Sequence, residues 1–371
     1  MIVMSHNGVE IMKHARAGLL AGTVLACTLA AAAPAQAPSS TLRVAGTTRL
    51  RETDSLLINR PSGIAVGAKG QFFVSDRTEA RVLEILPNGT ITRVFGRKGN
   101  GPGELQSPGA LALAGDTLLI VMDNGQRRTS VFNLRTGKFV TSFLVQAFLP
   151  SLRVVGAELL VSAMDVPSAT SVAVYSLSGA LLRREGGMPA TAKKFAKLSE
   201  AMPFARTAVI GARAYTAFDM SQSLLTWTRG DKAVTELPLP VSTRWGVKES
   251  LFEDLMHNPQ RARELLYAHS APAALEALPS GRLALLTYDA EMVGKGGTFN
   301  GTYHVTVVDV AAKRLCPEVA VPAQRAPLPS MTLQGSTLVV LEQGDDGKGE
   351  AVTTLRRFTI DDRSCHWRSL E

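Results

Sequence analysis

At 371 residues the chain is long enough for one large all-β domain or two smaller ones, and its 45% hydrophobic and 19% charged residues give an ordinary globular balance with ample material for a core. A formal charge of +8 with a pI near 9.6 favours an anionic partner such as nucleic acid, an anionic surface or an acidic glycan. Aromatic residues are only 6%, without the clustered stacking side chains that a single-strand nucleic-acid binder needs, and after the N-terminal segment no stretch has the unbroken apolar length to span a bilayer.

Residues 1–35 read as a signal peptide. Lys13 and Arg16 precede the small, apolar run Ala17 to Ala33, and Ala33-Pro34-Ala35 permits cleavage before Gln36. The basic end begins only after Met12, so Met1 to Ile11 reads as an upstream extension of the start. Val24-Leu25-Ala26-Cys27 is a degraded lipobox-like run, which makes a lipid anchor at Cys27 the alternative to cleavage before Gln36. Export, periplasmic or extracellular, removes nucleic acid from the expected partners. It also leaves Cys316 and Cys365 as an even pair in an oxidising compartment, where a disulfide is expected. Such a bond joins the end of the fifth repeat described below to the last strand of the sixth. It closes a loop of about fifty residues and contributes about 4 kcal/mol in the chain-entropy model.

Within the segment 36–60, Thr41 to Leu50 is a β-like run expected to pair beside the last repeat and close the fold. From Pro61 to Phe143 one pattern is then written twice: Pro61, Asp76 and Arg81 recur as Pro108, Asp123 and Arg128 at a single offset. The proline-to-acid interval returns from Pro150 to Asp165 and from Pro327 to Glu342, and nearly returns from Pro203 to Asp219 and from Pro272 to Asp289, which makes six units. Each unit reads as four short strands. In the first they are Gly63 to Val66, Gln71 to Ser75, Val82 to Leu86 and Thr90 to Phe95, separated by Gly, Pro, Asn and Asp signals. Four strands repeated six times predict an all-β, six-bladed β-propeller over 61–371.

Three stretches carry a family likeness: Pro-Ser-Gly-Ile-Ala-Val from Pro61, Phe-Val-Ser-Asp from Phe73 and Gly-Asn-Gly-Pro-Gly-Glu-Leu from Gly99. They resemble the NHL-repeat type of exported bacterial six-bladed propellers, over two blades well and over the other four by register. The resemblance implies that Gly99 to Gly103 links two blades. It lacks the spacing of a phosphate-binding loop and the helix that would follow one.

Farther along, the units are interrupted. Gly186 to Ala205 is a long connection carrying Lys193, Lys194 and Lys197. Ser242 to Ala271 changes period: Leu251, Phe252 and Leu255 stand at helical spacing, and Asn258-Pro259 reads as the cap and first position of a second helix through Tyr267. This predicts a helical hairpin inserted at 242–271 between blades four and five. A glycine-rich insertion, Met292 to Thr302, precedes a strand from His304 to Val310, and the sixth unit runs from Met331 to the end.

In an antiparallel four-stranded blade the connections alternate between two faces, so the first-to-second and third-to-fourth turns share one face. Those turns are short, whereas Gly96 to Ser107, Gly186 to Ala205, Ser242 to Ala271 and Met292 to Thr302 all fall on the other face, where recognition is expected. The expected binding residues of that long-loop face are Arg97, Lys98, Asn100, Lys193, Lys194, Lys197, Arg261, Arg263 and Lys295, with Lys248 adding to the positive charge. The partner expected there is a protein, a peptide or an anionic glycan.

The acids Asp76, Asp123, Asp165, Asp219, Asp289 and Glu342 each end the second strand of their unit and are expected to accept hydrogen bonds from their own turns rather than to bind metal. Arg81 and Arg128 suggest an ion pair with Asp76 and Asp123 across the following turn. His257, His269, His304 and His366 lack zinc spacing, no GxSxG occurs, and no serine, histidine and acid can be grouped by sequence. The expectation is an exported, non-catalytic binding propeller without a cofactor. The alternative is a metal-dependent lactonase, hydrolase or lyase of the six-bladed class, with calcium as the cofactor.

Overall fold

The computed structural model describes residues 41–145, 151–165, 167–190, 205–219, 221–241, 270–293, 298–322, 330–345 and 347–370. Strand β1 (Leu42–Arg49) comes first, and six sheets follow. The first blade is β2 (Pro61–Val66), β3 (Phe72–Asp76), β4 (Arg81–Ile85) and β5 (Ile91–Phe95), and the second is β6 (Pro108–Ala114), β7 (Leu118–Asp123), β8 (Arg128–Asn133) and β9 (Phe139–Leu144). The third holds β10 (Ser151–Val155), β11 (Glu158–Asp165), β12 (Thr170–Ser176) and β13 (Leu181–Gly187). In the fourth are β14 (Ala205–Ile210), β15 (Arg213–Phe218), β16 (Ser221–Thr228) and β17 (Thr235–Pro238). The fifth has β18 (Ser270–Ala277), β19 (Leu283–Val293), β20 (Thr298–Asp309) and β21 (Arg314–Ala320), and the sixth β22 (Ser330–Gln334), β23 (Thr337–Asp345) and β24 (Ala351–Ile360). Pairing within each blade is antiparallel, as in Pro61 with Asp76 and Pro108 with Asp123. The protein is an all-β six-bladed propeller.

The apolar pattern explains the stacking. Middle strands are covered on both faces by neighbouring blades, so they read as continuous apolar runs: Leu119, Ile120, Val121 and Met122 of β7 are all fully buried. The outer strand β5 has one face in water and alternates, with Thr92 and Val94 exposed. The core is therefore divided into six apolar interfaces between adjacent blades. Between the first two blades Phe73, Phe95, Phe132 and Phe139 form a relay of edge and tilted ring contacts about 6 Å apart.

Ring closure uses both ends of the described chain. Strand β1 pairs antiparallel with β24 and becomes the outer strand of the sixth blade, as Thr41 to Leu50 predicted. The last strand, β25 (Arg368–Ser369), leaves the sixth blade and pairs with β21 as a fifth strand of the fifth blade. The sixth unit therefore does not run to the end of the chain. A disulfide joins Cys316 of β21 to Cys365, with Cα atoms 5.3 Å apart. Cys365 lies not in the sixth blade's last strand but just after the 3-10 turn Asp362–Ser364, on the path from β24 to β25. Beside it the Trp367 ring is covered by the guanidinium groups of Arg282 and Arg314, at 4.8 and 4.6 Å from its centroid.

That 3-10 turn and the single residue Ala190 are the only helical positions among the described residues. The predicted hairpin at 242–271 lies outside them, except for Ser270 and Ala271 at its end, which open β18. Met292 to Thr302 is corrected as well. Met292 pairs with Phe299 and Val293 with Thr298, so most of the glycine-rich segment lengthens β19 and β20, and the strand begins at Thr298 rather than His304. Alternating hydrophobicity is weak there because glycines interrupt it, while backbone pairing does not depend on side chains. The predicted signal segment 1–35 lies outside the described residues. Among the described residues no helix is long and apolar enough to cross a membrane.

Candidate functional site

The first strands of the blades form the inner ring, and each leaves one edge without a strand partner. Unpaired backbone carbonyls need donors, and side chains of adjacent blades supply them. Ser62 Oγ donates to Pro108 O at 2.6 Å, Ser75 Oγ to Gly109 O at 2.8 Å, and Ser151 Oγ to Ala205 O at 3.2 Å. Where β2 and β6 meet, a Cβ on Gly63 would stand 2.2 Å from Gly109 O, so only glycine permits the approach.

Inside the ring lies a cavity of about 350 Å³ with residues from all six first strands, and with Arg77 and Asn124 from the turns after β3 and β7. Its charged lining is Arg77, Arg153, Arg206 and Glu276. Arg153 spans three blades: Nε donates to Thr207 O at 2.8 Å, Nη2 to Leu275 O at 2.9 Å, and the two Nη atoms grip Glu276 at 3.1 and 2.6 Å. Glu276 is the penultimate residue of β18, so this pair sits toward the short-turn end of the channel. Arg206 Nε donates to Ala273 O at 2.8 Å, and burial pulls its pKa down while Asp219 pulls it back up. Arg77 is lowered by burial and by the charge of Arg60. Three arginines against one carboxylate make this a positive cavity.

Each predicted site residue has a definite place or lies outside the described set. Arg97 is exposed and pairs with Glu104 at 2.8 Å, and Asn100 Oδ1 accepts from Gln106, so both hold the glycine-rich connector together. Backbone amides and Arg97 also keep the Glu104 carboxyl below its ordinary range. Lys98 is exposed beside an isolated bridge to Leu105. Lys193, Lys194, Lys197, Lys248, Arg261, Arg263 and Lys295 lie outside the described residues.

Several of the six ladder acids do more than cap their own turns. Asp76 accepts from Thr78 N and Glu79 N in its turn, and also from Asn59 N and Arg60 N ahead of β2. Asp123 repeats this with Gln106 N, Ser107 N, Gly125 N and Gln126 Nε2. The expected ion pairs with Arg81 and Arg128 are not formed. Arg81 donates to Ser55 O and Leu57 O, and Arg128 to Gly101 O and Glu104 O, because the carboxylates are already saturated and the incoming loops offer bare carbonyls. In other blades the acid finds side chains: Arg184 for Asp165 and Arg356 for Glu342.

The tertiary structure also groups residues that sequence left apart. Ser270 Oγ donates to Asp289, while His304 Nδ1 stands 3.6 Å from Asp289 Oδ2 and 3.4 Å from Glu318 Oε1. Here the acid, not the imidazole, receives the serine proton, so the order is not that of an activated nucleophile. Among the described residues no group of three or more His, Cys, Asp or Glu is placed to hold a metal ion.

Arg77, Asn124, Arg153 and Arg206 were missed at the sequence level. For the first two a signal exists: each directly follows its blade's ladder acid, in the same position of the repeat.

No family model matches the chain, and no curated protein matches it in sequence. Solved structures do resemble it. A Bacteroides fragilis protein described as exported shares 11% identity at a TM-score of 0.57, over 89% of this chain and 98% of that one. A Bacteroides vulgatus member of the DUF4221 family gives 11% and 0.58, over 86% and 98%. Virginiamycin B lyase from Staphylococcus aureus gives 10% and 0.50, over 85% and 99%. At such identity the likeness extends to the fold alone.

Proposed function

We propose that this is an exported binding protein that holds an anionic glycan on its long-loop face, with the channel mouth at the centre. One observation carries the reading: the cavity shared by all six blades is lined by three arginines and a single carboxylate, and it reaches the long-loop face at Arg77 and Asn124. A positive concavity with low-dielectric walls concentrates anions. By sequence, Lys193, Lys194, Lys197, Lys248, Arg261, Arg263 and Lys295 belong to connections of the same face and add to its positive charge. Lys98 adds to it, whereas Arg97 and Asn100 shape the connector. The signal sequence and the Cys316–Cys365 disulfide support export, and the motifs of blades one and two support the NHL-type reading of the repeat.

The test uses chain 36–371 on immobilised polygalacturonate. Retention is expected to fall with salt, and the variant Lys193→Ala/Lys194→Ala/Lys197→Ala is expected to elute earlier. Equal elution of variant and parent, or retention indifferent to salt, overturns the reading. Stoichiometric calcium in the purified protein, lost on replacing a channel carboxylate, would favour the metal-dependent lactonase or lyase alternative instead.

A further inference from the structure

Most polar groups around the channel are occupied by the protein itself. Arg153 is bound to Glu276 and to two carbonyls, Arg206 to the carbonyls of Ala273 and Ala205, and the rim serines to inner-strand carbonyls. Two side chains stand apart. The Arg77 Nε is buried without a partner, and among the described residues no carboxylate pairs with its guanidinium. The Asn124 Oδ1 is likewise buried and unpartnered. Both line the same cavity, from equivalent turns of neighbouring blades.

An open donor of fixed positive charge and an open acceptor lining one cavity describe a ligand. The guanidinium fork matches a carboxylate, and the second guanidinium nearby, that of Arg60, makes an anion still more favourable there. The amide oxygen needs a donor, which a hydroxyl provides. The amide is also given room. A Cβ on Gly109 would stand 2.3 Å from Asn124 Nδ2, so the glycine lets Asn124 lie against β6. A cavity of about 350 Å³ is at the lower end of the range for small-molecule sites. We infer that the channel mouth seats one hydroxylated carboxylate, an acidic sugar unit, with its carboxylate on Arg77 and a hydroxyl donating to Asn124 Oδ1. The Arg153–Glu276 pair forms the floor. This rests on the binding reading above and names the chemical unit recognised.

Calorimetric titration of chain 36–371 with galacturonate, with galactose as its neutral counterpart, and with inorganic phosphate tests it. Galacturonate is expected to bind saturably and galactose not. Arg77→Gln should weaken galacturonate by about tenfold or more, the scale of a lost charge-assisted pair, and Asn124→Ala by about threefold. Arg77→Lys, which keeps the charge but loses the fork, should fall between parent and Arg77→Gln, and a circular dichroism melt of each variant separates lost binding from lost folding. No binding of galacturonate, equal binding by folded Arg77→Gln, or binding of phosphate alone overturns the inference. If polygalacturonate retention still depends on the lysines in any of those cases, the binding reading stands without this site. If galacturonate binds through Arg77 while the column retains nothing, the face-wide reading fails and the channel site stands.

Discussion

Asp76 and Asp219 occupy the same place in the repeat and have opposite fates. In the first blade the turn after β3 is long enough to point the amides of Thr78 and Glu79 back at the acid, and the incoming loop adds two more, so the carboxylate is fully served. In the fourth blade Phe218 already pairs with Ser221, so little chain is left beside Asp219 to supply amides. Asp219 is buried, with one oxygen unpartnered, and burial raises its pKa to about 7 even though Arg206 opposes the shift. A repeat conserves the position of a side chain, but the length of the turn decides whether a buried charge there is stabilised or strained.

The largest expected effect follows from breaking the served acid. Asp76→Ala leaves four amides without their acceptor and should cost about 4 kcal/mol, read as a shift of the urea midpoint, with Asp123→Ala close behind. A loss under about 1 kcal/mol would mean that water replaces the carboxylate freely.

Asp219 should respond with the opposite sign and only in one pH range. Its carboxyl moves from 3.8 to about 7 on folding, so the folded state binds the proton more tightly. Its contribution is complete below pH 3.8 and is lost as the pH rises through about 7. Asp219→Asn should therefore raise stability at pH 8 by on the order of 2 kcal/mol and change little at about pH 3.5. Equal effects at the two pH values would remove the comparison.

The smallest effect belongs to the arginines. Arg81→Met removes bonds to the carbonyls of Ser55 and Leu57 at an exposed site and should cost about 1 kcal/mol. In a double-mutant cycle with Asp76→Asn the two losses should add to within about 0.5 kcal/mol, since they serve different groups. Strong coupling would restore the ion pair that the spacing suggested.

Much of the architecture is legible in the sequence. The interval from proline to acid counted the blades, the apolar runs between turn residues marked their strands, and Thr41 to Leu50 had nowhere to pair except the open edge of the last blade. These features are local, or repeat locally, and a pattern of hydrophobicity and turn chemistry records them directly. The extension of β19 and β20 was hidden, because strand pairing through Gly301 leaves no alternation to read.

What the chain order alone settled, then, is the number of blades and the pairing of Cys316 with Cys365. What only closure of the ring decided is the content of the channel: Arg153 meets Glu276 across 123 residues, and Arg77 and Asn124 face one cavity from different blades. Period and propensity describe neighbours along the strand, whereas the channel is made by residues that are near only because six sheets curve back onto the first.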